Sequence, residues 1–485
     1  MIKPDASFIN GLNGSTGQRI ESLTDQEILQ RFDGIHPVRP PDAAKALEFI
    51  EPVHRDELDI AALGWGIIFA EAEGKRVAQI RDALSPLLAL RRSQTELYRE
   101  FGDGREWGWL GYPSALPRTI LSLAALFLDK NGVKDGDPIE PSKVPFYLLI
   151  VGSPEDVPYD FQMGLSVDYA VGRIHFETLV EYENYAKSVV SAYHAEQARD
   201  RTATFFGTSN GSDPVTKHSA QELVIPLADQ IADSNGDGPT SWQINKMIGA
   251  GQTEIGRLAS VLGGSQTPTL LFSATHGMGF NQDDPRQAAH TGALLGQEWD
   301  LVQTSAGWVD ESAYFSADDL ADDANLLGSM VFLFACFSAG SPKMDQFRQI
   351  AGNAKQIAEK PFLARLPQKL LSHENGGALA VIGHVERVWT SSFKYSDPAS
   401  SISINALGPF ERTLSSLMNG RSIGAAFRPF PDRQDTFADR IATIEKQRRT
   451  RQPVHEAGSV HYWRSYNDAR HYIIIGDPAV RLNLQ

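Results

Sequence analysis

The chain contains one cysteine, Cys336, and it stands at the end of an unbroken apolar run, MVFLFA. A second such run, PTLLFSAT, leads into His276 and Gly277. In a parallel α/β sheet, reactive groups collect beyond the carboxyl ends of the strands, because helix N-termini and loop amides converge there. Should these two runs be neighbouring strands, a thiol and an imidazole leave the sheet side by side. An imidazole takes the thiol's proton and later returns it to a leaving amine, which is the chemistry of acyl transfer through a thioester. Gly277 has no side chain to hinder its backbone N–H, so that amide and the amide of Cys336 suit the stabilisation of an oxyanion. Taken alone, a cysteine after an apolar strand is a small buried residue and a His-Gly pair is a turn. Their joint placement at two strand ends carries the chemical reading.

The elements that must position them read as an alternation. Short runs rich in β-branched and aromatic residues, PFYLLIVGSP, TATFFGTSNG, PTLLFSATHG, MVFLFACFSAG, ALAVIGH and HYIIIGDP, predict buried strands. Between them YENYAKSVVSAYHAEQARD, SAQELVIPLADQI and KMDQFRQIAGNAKQIAE have helical length and spacing. Strand and helix in turn predict an α/β fold with a mainly parallel sheet. The Gly-, Asp- and Pro-rich stretch KNGVKDGDPIEPSK marks a boundary near residue 140. The expected organisation is an accessory region over 1–140, a first α/β unit over 141–265 and a catalytic α/β unit over 266–485. RVAQIRDALSPLLALRRSQ, in the first region, predicts a helix kinked at its proline.

Composition narrows the partners. There are 45 Lys and Arg against 60 Asp and Glu, a formal charge of −15 that disfavours nucleic acid and anionic membrane surfaces. The first residues, MIKPDASFINGLNGSTGQ, lack the apolar core of a secretory signal. A lone thiol forms no internal disulfide, and a cytoplasmic, reducing setting is expected. DSNGDG opens like a calcium loop, but Ile244 stands where a closing Glu belongs. GLNGSTGQR lacks the Lys-Ser/Thr of a phosphate loop and reads as a flexible segment. His290 and His384 read as satisfied or exposed histidines.

The order strand-His-Gly, then strand-Ala-Cys, resembles the gingipain-like peptidases and the related CHAT-type proteases of the caspase fold. VPFYLLIVGSPEDVPYDFQMGLSVDYAVGRI is similar to the family's strand ending in Val-Gly and its Asp-Tyr-x-x-Gly-Arg segment. GGALAVIGHVERVWTSSF resembles the strand and Trp-containing loop that line the family's specificity pocket, and HYIIIGDPAVRL its closing strand and Gly-Asp-Pro turn. The resemblance covers roughly residues 145–485. It implies a caspase-like α/β sandwich and a cysteine endopeptidase with a Cys336–His276 dyad and an oxyanion site at Gly277. No cofactor is implied; the partners are a protein or peptide substrate and an activating protein or ligand.

Gingipains carry an acidic residue that supports the histidine, whereas Phe205 to Ser212, the matching stretch, holds no carboxylate. Asp213 matches the aspartate that selects arginine, so the resemblance places it at the floor of a pocket for Arg or Lys, with Trp389 covering the substrate's aliphatic stem. An aspartate before Pro214 is also a good helix N-cap. The insertion QDDPRQAAHTGALLGQEWDLVQTSAGWVDE is expected to cap the site. By analogy with CHAT-type proteases the setting is bacterial defence or regulated proteolysis. The rival readings are an inactive caspase-like scaffold or sensor that binds a protein partner, and a different thiol-based acyl transferase or hydrolase.

Overall fold

The structure is a computed structural model that describes residues 8–21, 25–26, 28, 59–103, 123–134, 137–195, 198–236, 238, 240–299, 307–347, 355–396, 403–454 and 456–484. Its centre is a ten-stranded sheet with the spatial order Tyr98–Gly102, Trp65–Phe69, Tyr147–Val151, Ala170–Ile174, Tyr472–Gly476, Ala380–His384, Met330–Phe334, Leu270–Ala274, Thr202–Gly207, Gln243–Ile248. Neighbours run parallel except at one seam, where Tyr472–Gly476 lies antiparallel to Ala380–His384. The sheet is thus two parallel blocks facing opposite ways, and each expected strand is present in it.

Strands buried on both faces need apolar residues at every position. Trp65–Phe69, Tyr147–Val151, Leu270–Ala274, Met330–Phe334 and Tyr472–Gly476 are buried throughout. Because side chains alternate between faces, Ile67, Leu149 and Val151 enter the main core while Ile68, Leu148 and Ile150 enter a second one with Phe127 and Phe161. Helices cover both faces, which makes an α/β sandwich. The two outer strands are partly exposed and carry Arg99, Glu100 and Lys246, charges that discourage pairing with another chain. Among the described residues no helix is long and apolar enough to cross a membrane.

Two expectations are corrected. The region before residue 140 is not a separate accessory: Trp65–Phe69 pairs along its whole length with Tyr147–Val151, and Tyr98–Gly102 extends the same sheet. The 343–359 stretch is not helical where it is described; Met344 instead bridges Gln356 as an antiparallel pair. The proline in the early helical run does break it, giving Arg76–Ala83 and Ser85–Gln94.

The Gly-Asp-Pro turn ties the early strands to the late one. Asp477 accepts hydrogen bonds from Arg91 Nε at 2.8 Å and from Trp65 Nε1 at 3.0 Å, while its amide donates to Tyr185 Oη at 2.6 Å. The Arg91 and Asp477 side chains are almost wholly buried. Losing one partner strands the other charge in a low-dielectric interior. Arg91→Ala is therefore expected to destabilise the fold by about 3–5 kcal/mol, as read by urea denaturation; a loss under about 1 kcal/mol, the range of an exposed pair, would refute this.

Candidate active site

Leu270–Ala274 and Met330–Phe334 pair in parallel with no offset, from Met330 opposite Leu270 to Phe334 opposite Ala274. Two residues beyond the last pair stand His276 and Cys336, so register alone brings them to the same level. Their backbones touch closely there. A Cβ on Gly277 would lie 1.8 Å from the Cys336 carbonyl oxygen and 2.6 Å from its nitrogen, so only glycine fits. Immediately after the cysteine the chain turns sharply, with Phe337 at φ 58°, a left-handed conformation that costs a residue with a Cβ about 1–3 kcal/mol. The Phe337 amide is held by the Glu386 carbonyl at 2.6 Å, which helps to fix that turn.

Cys336 and His276 are both fully buried. Burial pushes the Cys336 thiol well above its ordinary pKa, so it is neutral in this state. Its Sγ accepts a hydrogen bond from the Val388 amide at 3.2 Å. His276 Nε2 pairs with Asp213 Oδ2 at 2.7 Å, and Nδ1 has no hydrogen-bond partner among the described residues. With Nε2–H donated to a carboxylate, Nδ1 carries the lone pair that receives a proton.

Asp213 therefore has a different position from the one expected. Its carboxylate is the partner of His276, not the open floor of a pocket, and its remaining capacity is taken by Arg19 at 2.6 Å and by the amides of Val215 and Thr216. Burial opposes ionisation of this carboxyl, but the hydrogen bond from His276, the Thr216 amide and Arg19 outweigh it and hold the group well below the usual carboxylate range. It also caps the Pro214–Ser219 helix. The acid absent from 205–212 stands one residue further on.

Trp389 is corrected as well. Its ring is fully buried, with Phe347 at 5.5 Å and the guanidinium of Arg464 4.8 Å from its centre. The cation that was expected to come from substrate is supplied by the chain itself. Within the inserted segment, Trp299 stands edge-on to His276, with the ring centres 6.1 Å apart. His290 bonds Tyr314 and Asp318, and His384 bonds the carbonyls of Glu386 and Asp468.

The two amides expected to form an oxyanion site are engaged. The amides of Gly277 and Cys336 both donate to the carbonyl oxygen of Asn10, at 3.0 and 3.1 Å. Sequence reading missed this segment altogether, having taken GLNGSTGQR for a flexible stretch. Gly11–Asn13 instead pairs in parallel with Gly277–Gly279 and turns back antiparallel through Gln18–Arg19. The only hint in the sequence was the glycine pattern of a tight hairpin. No group of three or more His, Cys, Asp or Glu side chains that could hold a metal ion occurs among the described residues.

No family model and no curated protein matches the chain. Two solved structures are similar to it. One is a complex of the Porphyromonas gingivalis RgpB pro- and mature domains, with a TM-score of 0.48 at 12% identity over 87% of this chain and 80% of that one. The other is described as a protease, with a TM-score of 0.47 at 12% identity over 88% of this chain and 80% of that one.

The depressed Asp213 pKa has a measurable sign. A folded-state pKa below the unfolded value of about 3.9 contributes stability that is present above that value and lost as pH falls through the folded pKa. Asp213→Asn should thus lower stability most near pH 7, and the gap to the natural chain should narrow progressively below about pH 4. Denaturation curves at pH 7, 4 and 3 check this, and a gap that widens with acid would contradict the assignment.

Proposed function

We propose that the chain is a cysteine endopeptidase of the caspase and gingipain type that cleaves protein substrates through a Cys336–His276 dyad. Cys336 attacks a peptide carbonyl, passes its proton to His276 Nδ1, and forms an acyl-enzyme that water releases. Asp213 is the positioning residue: by accepting Nε2–H it sets the tautomer and supports the imidazolium that forms. The amides of Gly277 and Cys336 hold the oxyanion.

The observation that carries this reading is the pair of amides beside the thiol, both aimed at one carbonyl oxygen. A core cysteine has no need of two such donors, and a scaffold has no need of the buried Asp213–His276 pair. A thiol acyl transferase shares the acyl-enzyme and differs only in the acceptor, so product analysis after protein digestion separates the two. A preference for Arg or Lys loses its support, because the counter-charge it relied on is spent on His276 and Arg19. The proposed setting is the cytoplasm, where a reducing milieu keeps the single thiol free; bacterial defence or regulated proteolysis is the role that CHAT-type analogy suggests.

Residues that act as one unit have non-additive effects. Cys336→Ala and His276→Ala are each expected to lower peptide turnover by about 10³-fold or more, with the double variant little worse. Steady-state cleavage of a peptide library measures it, with the thermal transition as the check on folding. Near-normal turnover in either variant would end this proposal.

A further inference from the structure

Residues 8–13 run through the site as a peptide substrate would. On one side of the thiol Phe8–Asn10 lies antiparallel to Val388–Thr390: the Asn10 amide donates to the Val388 carbonyl at 3.0 Å, the Thr390 amide to the Phe8 carbonyl at 2.9 Å, and Ile9 bridges Trp389. On the other side Gly11–Asn13 pairs with Gly277–Gly279. This is the main-chain pairing by which extended peptides are recognised. Between the two halves the Asn10 carbonyl rests on both oxyanion donors. A Cβ on Gly11 would lie 2.7 Å from Cys336 Sγ, so the thiol is packed directly against the Asn10–Gly11 peptide. Arg19, further along the same hairpin, engages Asp213 behind the histidine.

We propose that residues 8–13 are a tethered substrate that blocks the groove in the resting chain, and that Asn10–Gly11 is the first bond the chain cuts; this rests on the peptidase reading above. In that step Cys336 Sγ bonds to the Asn10 carbonyl carbon and the thiol proton moves to His276. The C–N bond to Gly11 breaks as that proton passes to the Gly11 nitrogen. Water then hydrolyses the thioester, leaving an Asn10 carboxylate and the regenerated thiol. The acyl-side subsite encloses Asn10, whose side-chain Oδ1 and Nδ2 are buried without hydrogen-bond partners among the described residues. It takes a small neutral side chain, and the segment is held chiefly by its main chain. The substrate class is thereby proteins with a small neutral residue such as asparagine before the cut bond and glycine after it.

The full chain tests this. Intact-mass analysis with N-terminal sequencing should find a product beginning at Gly11, formed by the natural chain and absent from Cys336→Ala. Gly11→Val places a side chain on the thiol and should expel the segment, so that iodoacetamide labels Cys336 at least about tenfold faster than in the natural chain before it is cut. Arg19→Ala, which alters a half-exposed side chain, should shift labelling the same way and serves if Gly11→Val does not fold. The opened variant should cut a peptide library after asparagine.

A natural chain that stays whole, with equal labelling rates in all forms, overturns the proposal, as does a Cys336-dependent cut at another bond. If the opened variant cuts peptides no faster than the natural chain, the self-block falls while the peptidase reading survives. Should labelling accelerate with no form cleaving any peptide, the peptidase reading falls and takes the self-cut with it.

Discussion

The site depends on one constraint, the zero-offset parallel pairing of Leu270–Ala274 with Met330–Phe334. A slip by one residue in either strand would send every one of its side chains to the opposite face of the sheet and part the histidine from the cysteine. The register is locked from below by continuous burial, since each of these ten residues is at most 3% exposed. It is locked from above by Gly277, which admits no side chain between the two backbones. Apolar packing, which has no directional preference of its own, is in this way converted into the placement of two polar groups.

Once the pair is placed, the electrostatics follow from burial. A thiol taken out of water stays protonated, and an imidazole taken out of water needs a partner for its N–H. Asp213 is that partner. It remains ionised because four donors surround it: the imidazole, Arg19 and the amides of Val215 and Thr216. The same carboxylate joins His276 to the hairpin that carries Arg19, so two segments far apart in sequence meet on one side chain.

Much of this was legible in the sequence because it is written in period and run length. The six strands quoted from apolar runs all lie in the central sheet, since a strand buried on both faces leaves a signature no loop has. The Cys336 and His276 positions followed from where those runs stop. What escaped reading was settled by partners distant in sequence. Asp213 shows locally as an N-cap before a proline, and nothing near it announces a histidine at position 276. Trp389 looks available in its loop until Arg464 is brought over its face. Residues 343–359 have helical spacing, yet Met344 and Gln356 pair with each other, a case of tertiary context overriding local propensity. Gly11–Asn13 carries no hydrophobic period at all; it is a strand because Gly277–Gly279 offers it an edge.

The antiparallel seam has a consequence for how the molecule is made. Tyr472–Gly476 sits in the middle of the sheet, bonded to Ala170–Ile174 on one side and to Ala380–His384 on the other. Of the ten strands it comes latest in the chain, so the two parallel blocks have no shared backbone ladder until it emerges. Its turn residue, Asp477, must also find Arg91 and Trp65, which a ribosome has released hundreds of residues before. Contacts so far apart in sequence close slowly. Joining of the halves accordingly waits until this strand has been made, and up to that point each nascent block carries an open sheet edge where the seam will form.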